Sequence, residues 1–398
     1  MKRVLISAVA AGALLGQLNA FEVYKDGDKS FGVFGVANAL VGYGYNFSKS
    51  TASGAKLVRG ANPSEFIYGI QGNSRIGINF TVGKVFGAAL IGAGESTFYG
   101  DSVTDNNNKK WTPKAGFRQL YAGYDFGDAG KLLAGKNELI TSMGGFSSSI
   151  FDIESGLQGF GGTSTSTRRF QIAYSVAGLT VSISENDISD TDTKGGNKSI
   201  PRISLGYEYK DGGLRAKVAA AYANASRKTQ SDAAIVAAGV KYDLGGSYVS
   251  GLINYGFNSQ LLGESKIATP SLSRGYGNVG VSGGNPTTLS GSATNTNLVG
   301  VVLEYGMNLT DDLGFKIGAG YQYATKAKNS TEAKNGGVLH SYAGFVQLPY
   351  KVGGGFSIIP QVGYMGTTQG NSTNGANNKT TYTNTGNVLA EVLFKIAF

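Results

Sequence analysis

From residue 31 to the last residue, apolar side chains return at every second position, stop at a turn, and return again. In SRIGINFTV, Ile76, Ile78, Phe80 and Val82 fall on one side of an extended chain, and Arg75, Gly77, Asn79 and Thr81 on the other. PRISLGYEYK sets Ile203, Leu205, Tyr207 and Tyr209 against Arg202, Ser204, Glu208 and Lys210. GFKIGAGYQY sets Phe315, Ile317, Ala319, Tyr321 and Tyr323 against Lys316, Gly318, Gly320 and Gln322. The chain stops on NVLAEVLFKIAF, with Val388, Ala390, Val392, Phe394, Ile396 and Phe398 on one side and Asn387, Glu391 and Lys395 on the other. Side chains of a strand alternate between its faces, so each segment is a strand with one apolar and one polar face. Alternating segments of about ten residues separated by turns mark a strand that crosses a bilayer.

The connections alternate too. Short turns are expected at 82–84, 127–130, 177–178, 211–213, 244–246, 308–313 and 352–355, and long polar loops near 48–65, 100–114, 137–167, 188–199, 226–232, 259–294, 327–336 and 368–385. Strands bounded by eight loops and seven turns number sixteen. An even count with short turns at one rim and long loops at the other describes an all-β, transmembrane antiparallel barrel with periplasmic turns and extracellular loops. In hydrocarbon every backbone donor and acceptor must be paired within the protein, so the sheet must close and the last strand must meet the first. A soluble sandwich also alternates, but Tyr at so many strand ends (YGYNF, GYEYK, YQYA, QVGYMG) fits the aromatic girdles of a membrane barrel better.

The opening MKRVLISAVAAGALLGQLNA has Lys2 and Arg3, an uncharged apolar run and a small residue at Ala20. It reads as a secretory signal peptide over 1–20, too short to span a membrane, leaving 21–398 as one barrel domain. The chain has no Cys, so closure must come from hydrogen bonding rather than disulfides, and Cys nucleophiles and Cys metal sites are excluded. The mean hydropathy of −0.09 leaves little room for membrane helices. The uncharged span 31–48 carries Gly32, Gly35, Gly42 and Gly44 with several aromatics, which favours a strand.

Several stretches resemble the trimeric general diffusion porins of Gram-negative outer membranes. FEVYKDGDKSFGVFGVANALVGY is similar to their mature N-terminus and SRIGINFTVGKVFGAALIGAGEST to their second hairpin. FRQLYAGYDFGDAGKLLAGK is similar to the next hairpin, and RRFQIAYSVAGLTVSISEND to the one after their third loop. The terminal Phe398 matches their C-terminal assembly signal. The resemblance implies that the third loop, NELITSMGGFSSSIFDIESGLQGFGGTSTST, folds into the barrel lumen. It also implies constriction acids at Asp152, Glu154 and Glu138, facing wall arginines Arg75, Arg118 and Arg169. GFGG at 159–162 resembles the family's loop end, although Gln158 stands where an acid is usual, which shifts the role to Asp152 and Glu154. Alternation independently turns Arg75 and Arg169 inward. Arg118 alternates poorly, because its parity would bring Leu120 inward, and Arg168 should point outward or sit at the rim. Homotrimerisation, lipopolysaccharide and outer-membrane lipids, the outer-membrane assembly machinery and small hydrophilic solutes are the implied partners.

Acids opposite arginines across a low-dielectric constriction create a transverse field, so such a pore sieves by size and polarity. It requires neither cofactor nor covalent chemistry, and neither an enzyme activity nor a nucleic-acid partner is expected. The 35 basic residues less Lys2 and Arg3 leave 33 against 26 acidic ones. Arg202, Arg215, Lys217, Lys241 and Lys316 add inward positive charge, consistent with a mild anion preference; lysines in outer loops that bind lipopolysaccharide phosphates account for the excess equally well. The alternative functions are a substrate-specific channel for a sugar, peptide or anion and, more remotely, an outer-membrane hydrolase, which would have to use His340, the only histidine. Asp152 and Glu154 as a glycosidase pair lack any evidence of the required separation. GYGNVG at 275–280 lies in a polar loop, without the strand and helix that a dinucleotide fingerprint needs. The long loops could also carry an adhesin surface, which is compatible with a channel.

Overall fold

A computed structural model describes residues 21–50, 58–71, 73–93, 115–150, 156–164, 167–185, 200–225, 231–263, 296–326, 338–372 and 380–398. Residues 1–20, expected to be a signal peptide, lie outside the described residues. One sheet holds nineteen strands. In chain order they are β1 (Phe21–Asp26), β2 (Lys29–Ser50), β3 (Val58–Ile70), β4 (Arg75–Val82), β5 (Val85–Ala93), β6 (Ala115–Asp125) and β7 (Lys131–Glu138). Then come β8 (Arg168–Val176), β9 (Leu179–Ser184), β10 (Ile200–Asp211), β11 (Leu214–Ala225), β12 (Ser231–Asp243) and β13 (Ser247–Phe257). The last are β14 (Thr296–Asn308), β15 (Gly314–Lys326), β16 (Val338–Gln347), β17 (Tyr350–Gly353), β18 (Phe356–Ser372) and β19 (Thr380–Ala397).

Three wall positions, or staves, are composites. β3 and β4 both pair along β2, broken by residues 71–74. β16 and β17 both pair along β18. β19 covers Val36 to Ser50 on one edge of β2, and β1 covers Lys29 to Val33 of the same edge. The result is a closed antiparallel barrel of sixteen staves, as the alternation predicts. The acidic-basic segment FEVYKD is itself a strand, β1, hydrogen-bonded to β2. At the junction Phe398 N–H donates to Gly35 O (3.0 Å) and Gly35 N–H to Phe398 O (2.8 Å). The Phe398 ring occupies the space a Gly35 side chain would need.

The hairpins at one rim are tight because glycines take left-handed backbone there, at Gly83, Gly178, Gly212 and Gly354 among others. All seven short turns fall where the sequence places them. Two of the eight loops are shorter than expected: β2 and β3 keep pairing as far as Phe47↔Arg59 and Ser48↔Val58, and β18 and β19 as far as Ser372↔Thr380, well into the expected loops 48–65 and 368–385. Polar stretches such as TTQGNS and TTYTNT continue the ladder without hydrophobic alternation, since backbone pairing itself requires none.

The faces are inverted relative to a soluble sheet. Ile76, Ile203, Leu205, Ile253 (58% exposed), Leu303 (63%) and Val362 point outward. Asn38, Gln119, Gln171, Ser204, Gln322, Gln361, Asn387 and Glu391 are buried on the other side. The terminal strand follows the expected parity, with Val388, Ile396 and Phe398 exposed and Asn387 and Glu391 buried. The inner face is not uniformly polar, however. A cluster of buried apolar residues joins Ile140, Met143, Phe146, Ile150, Leu157 and Phe160, between β7 and β8 in sequence, to wall residues including Leu252, Val302, Phe345 and Leu389.

Candidate functional site

The three arginines named from the sequence lie on β4, β6 and β8, within one band of five neighbouring strands. Arg75 opens β4 and stands opposite Gly92 of β5 in register, its Nη1 donating to Asn73 O at 3.3 Å. β5 and β6 pair as Leu90↔Gln119 and then Ile91↔Phe117, leaving Arg118 as an extra residue, a β-bulge. Phe117 and Leu120 on either side of Arg118 and Gln119 are both exposed, so the bulge turns two consecutive side chains away from the outer face. That resolves the poor alternation at Arg118: parity is reset by one residue, and Leu120 does not come inward. The Arg118 stem lies where a Gly92 side chain would be, so Gly92, the register partner of Arg75, leaves the opening that Arg118 fills. Gln119 Nε2 donates to Asn137 Oδ1 at 3.1 Å, and Asn137 pairs in register with Arg169 on β8. Gly92 itself pairs with Gly116, and Gln119 with Leu90, so the band that runs from Arg75 through Arg118 to Arg169, the arginine row, steps by two residues as it crosses β4 to β8.

Among the expected acids, Asp152 and Glu154 lie outside the described residues. Glu138, at the end of β7, pairs in register with Arg168 and accepts from its Nη2 at 2.9 Å, the two side chains being 7% and 10% exposed. Arg168 is therefore an ion-paired, largely buried neighbour of the row. Arg169 Nη1 donates to Arg168 O at 2.7 Å.

The described parts of segment 139–164 are tied to the wall at many points. Their two limbs hold each other through Leu139 N–H to Thr167 O (2.9 Å) and Met143 N–H to Ser164 O (3.1 Å). Lys217 Nζ donates to Ser142 O at 2.8 Å, and Asn254 Nδ2 to Gly161 O at 2.6 Å. Gly300 and Gly320 present bare backbone where Gly161 and Phe160 press against the sheet. Glu304 of β14, buried, accepts from Ser149 N–H (2.6 Å), Ser149 Oγ (2.8 Å) and Tyr248 Oη (2.6 Å). Gln347 Nε2 donates to Ser149 O at 2.8 Å.

Most of the additional cations named from the sequence are committed to this packing. Arg215 pairs with Glu208 at 2.5 Å and lies over the Phe146 ring, 4.6 Å from its centroid. Lys241 sits over the Tyr248 ring at 3.9 Å. Lys316 lies within electrostatic reach of Glu304 and Lys241, and Lys395 within reach of Lys316 and Arg75. His340 bonds Tyr321 Oη through Nδ1 at 2.6 Å and lies beside the Tyr323 ring, and Tyr342 stacks on Tyr364.

Sequence reasoning missed Glu304 and the inward contacts of Ser259–Leu262, a single 3-10 turn after β13. Glu304 was hidden by its strand, TNLVGVVLEYGMN: Leu298 and Val302 share its buried face with Thr296 and Gly300, and the apolar Leu298 and Val302 blur the period of two.

No known family model matches the sequence, and no curated protein is detectably similar to it. Solved structures do share the fold. The anion-selective porin from Comamonas acidovorans superposes with a TM-score of 0.58 at 13% identity, covering 93% of this chain and 100% of that one. The outer-membrane expressed OmpT of Vibrio cholerae superposes with a TM-score of 0.51 at 11% identity, covering 95% of this chain and 100% of that one.

Proposed function

We propose that the chain is an outer-membrane porin: after removal of residues 1–20 it forms a water-filled channel through which small hydrophilic solutes and ions diffuse passively. The observation that carries this reading is the pairing of a closed, outwardly apolar barrel with an inner row of three arginines at Arg75, Arg118 and Arg169. A bilayer accepts only a sheet whose backbone groups are all paired, and the outward Val, Leu and Ile side chains supply the apolar belt. Segment 139–164 is the inward third loop of this reading; its bonds to Glu304, Asn254, Lys217 and Gln347 support that placement. In this reading Asp152 and Glu154, with Glu138, are the constriction acids. Phe398 serves as the assembly signal, the protein works as a homotrimer among lipopolysaccharide and outer-membrane lipids, and no covalent step is involved.

Arginine remains charged at every pH a cell meets, so the row holds a fixed positive potential that attracts anions. The anion-selective porin from Comamonas acidovorans is a structural neighbour in keeping with a mild anion preference here. Planar-bilayer recording of the refolded protein tests the reading: conductance that closes in three equal steps, with a reversal potential in a salt gradient on the anion side, is expected. Absence of steps counts against the channel, and cation preference counts against the arginine row. Replacing Arg75, Arg118 and Arg169 by Ala should move the reversal potential toward cations.

A further inference from the structure

The interior holds a second inward element. Asn258 ends β13 with left-handed backbone (φ 50°), which Asn tolerates better than most residues. Its Nδ2 donates to Asp232 O (2.7 Å) and its Oδ1 accepts from Thr296 N–H (2.8 Å), so both neighbouring strands fix the point where the chain turns in. Leu262 is then buried against Ala221, Ala223, Ala233 and Ile235 of β11 and β12. Gly263 O accepts from Gln158 Nε2 and from Thr167 Oγ1, each at 3.2 Å. Residues 259–263 thus touch segment 139–167 on its returning limb.

The outgoing limb is reached through one side chain. Arg202 of β10 is 2% exposed. Its Nη1 donates to Leu262 O at 3.1 Å, its Nη2 to Thr141 Oγ1, and its Nε to Ser204 Oγ at 3.3 Å. A guanidinium is a rigid planar fork whose donors diverge, so it can hold two separate backbones at a fixed spacing; a lysine ammonium cannot hold both in the same plane. Burying the charge is costly unless its donors are satisfied, so the bonds to Thr141 and Leu262 are held tightly rather than exchanged with water.

We infer that Arg202 is a positioning residue that locks residues 259–263 to the root of segment 139–167, so that the two inward elements together, and not the third loop alone, set the aperture of the pore. Arg169 of the arginine row lies against Gly263, with Nη2 3.5 Å from where a Gly263 side chain would begin, so the same element borders the charged row. The inference rests on the channel reading above, but it concerns aperture rather than the existence of a pore.

The test compares wild type with Arg202→Met and Arg202→Lys, and with the pair Gln158→Ala and Thr167→Val, which removes only the bonds to Gly263 O. Single-channel conductance, open-channel noise and liposome swelling with sugars of increasing size are read, after heat-modifiable gel mobility establishes that each variant folds. Arg202→Met should raise conductance, open-channel noise and the size limit for sugars, with Arg202→Lys restoring part of the change; the double variant should shift the same readouts less. A purely structural role lowers the folded yield but leaves the size limit of the folded channels as it is. Folded Arg202→Met channels with wild-type conductance and size limit overturn the inference. Should Arg202→Met fail to fold, an unchanged size limit in the double variant overturns it instead. Wild-type protein that forms no channel overturns the functional reading, a result distinct from either.

Discussion

Arg118 shows how far a single residue can be read. Alternation alone places it badly, since strict parity pairs it with Leu120, yet the residue is inward and Leu120 is exposed. A bulge inserts one residue without altering composition, so no hydropathy pattern registers it; only the ladder, slipping between Leu90 and Ile91, reveals it. Gly92 is the companion signal, a glycine whose bareness admits the Arg118 stem. Gly92→Val is therefore expected to move the reversal potential toward cations, in the direction of Arg118→Ala, although it removes no charge. An unchanged potential would show that the stem finds another path. Glu304→Ala takes away the acceptor of three hydrogen bonds. Each buried donor left unpaired costs about 1–3 kcal/mol, so the tip of segment 139–164 should loosen. Open-channel noise should rise in Glu304→Ala, while Glu304→Gln, which keeps an acceptor oxygen, should stay nearer wild type.

At the level of strands, the sequence is most legible where one face meets an apolar medium and the other meets water. β4, β10 and β15 satisfy that condition, and the faces assigned to them from sequence match the exposures of Ile76, Ile203 and Ile317. Two elements depart from it. The ends of β18 and β19 continue the ladder through polar sequence that has no period of two. In β14 the buried face mixes Leu298 and Val302 with Thr296, Gly300 and Glu304, which blurs the pattern although exposure alternates. Parity and resemblance agreed in turning Arg75 and Arg169 inward, parity spoke against Arg118, and residues 259–263 left no mark in the pattern because their contacts are distant in sequence. The outward face of β14 makes its own prediction. Leu303 lies near the middle of the strand and is 63% exposed, so Leu303→Arg is expected to cost roughly 2–4 kcal/mol, the range for a cation at the midplane of a barrel. Denaturant unfolding in lipid vesicles measures it; a cost near zero would place Leu303 outside the hydrocarbon.

The whole molecule is held by one uninterrupted circuit of backbone pairing, and that circuit is completed by two pieces of chain far apart in sequence. β19 and β1 occupy the same edge of β2, with Phe398 opposite Gly35 and Phe21 opposite Val33. Phe21 and Phe398 thus lie two register positions apart on one edge of β2, and in the reading that removes residues 1–20 the chain ends meet there. A gene in which a short linker joins Phe398 to Phe21, and which instead opens at the Gly212–Gly213 hairpin, should yield a circular permutant with the same heat-modifiable gel shift and the same unit conductance. Its interior strands would then be the first and last synthesised, so any loss in yield measures what membrane insertion requires of a free aromatic end, separately from what the finished cylinder requires.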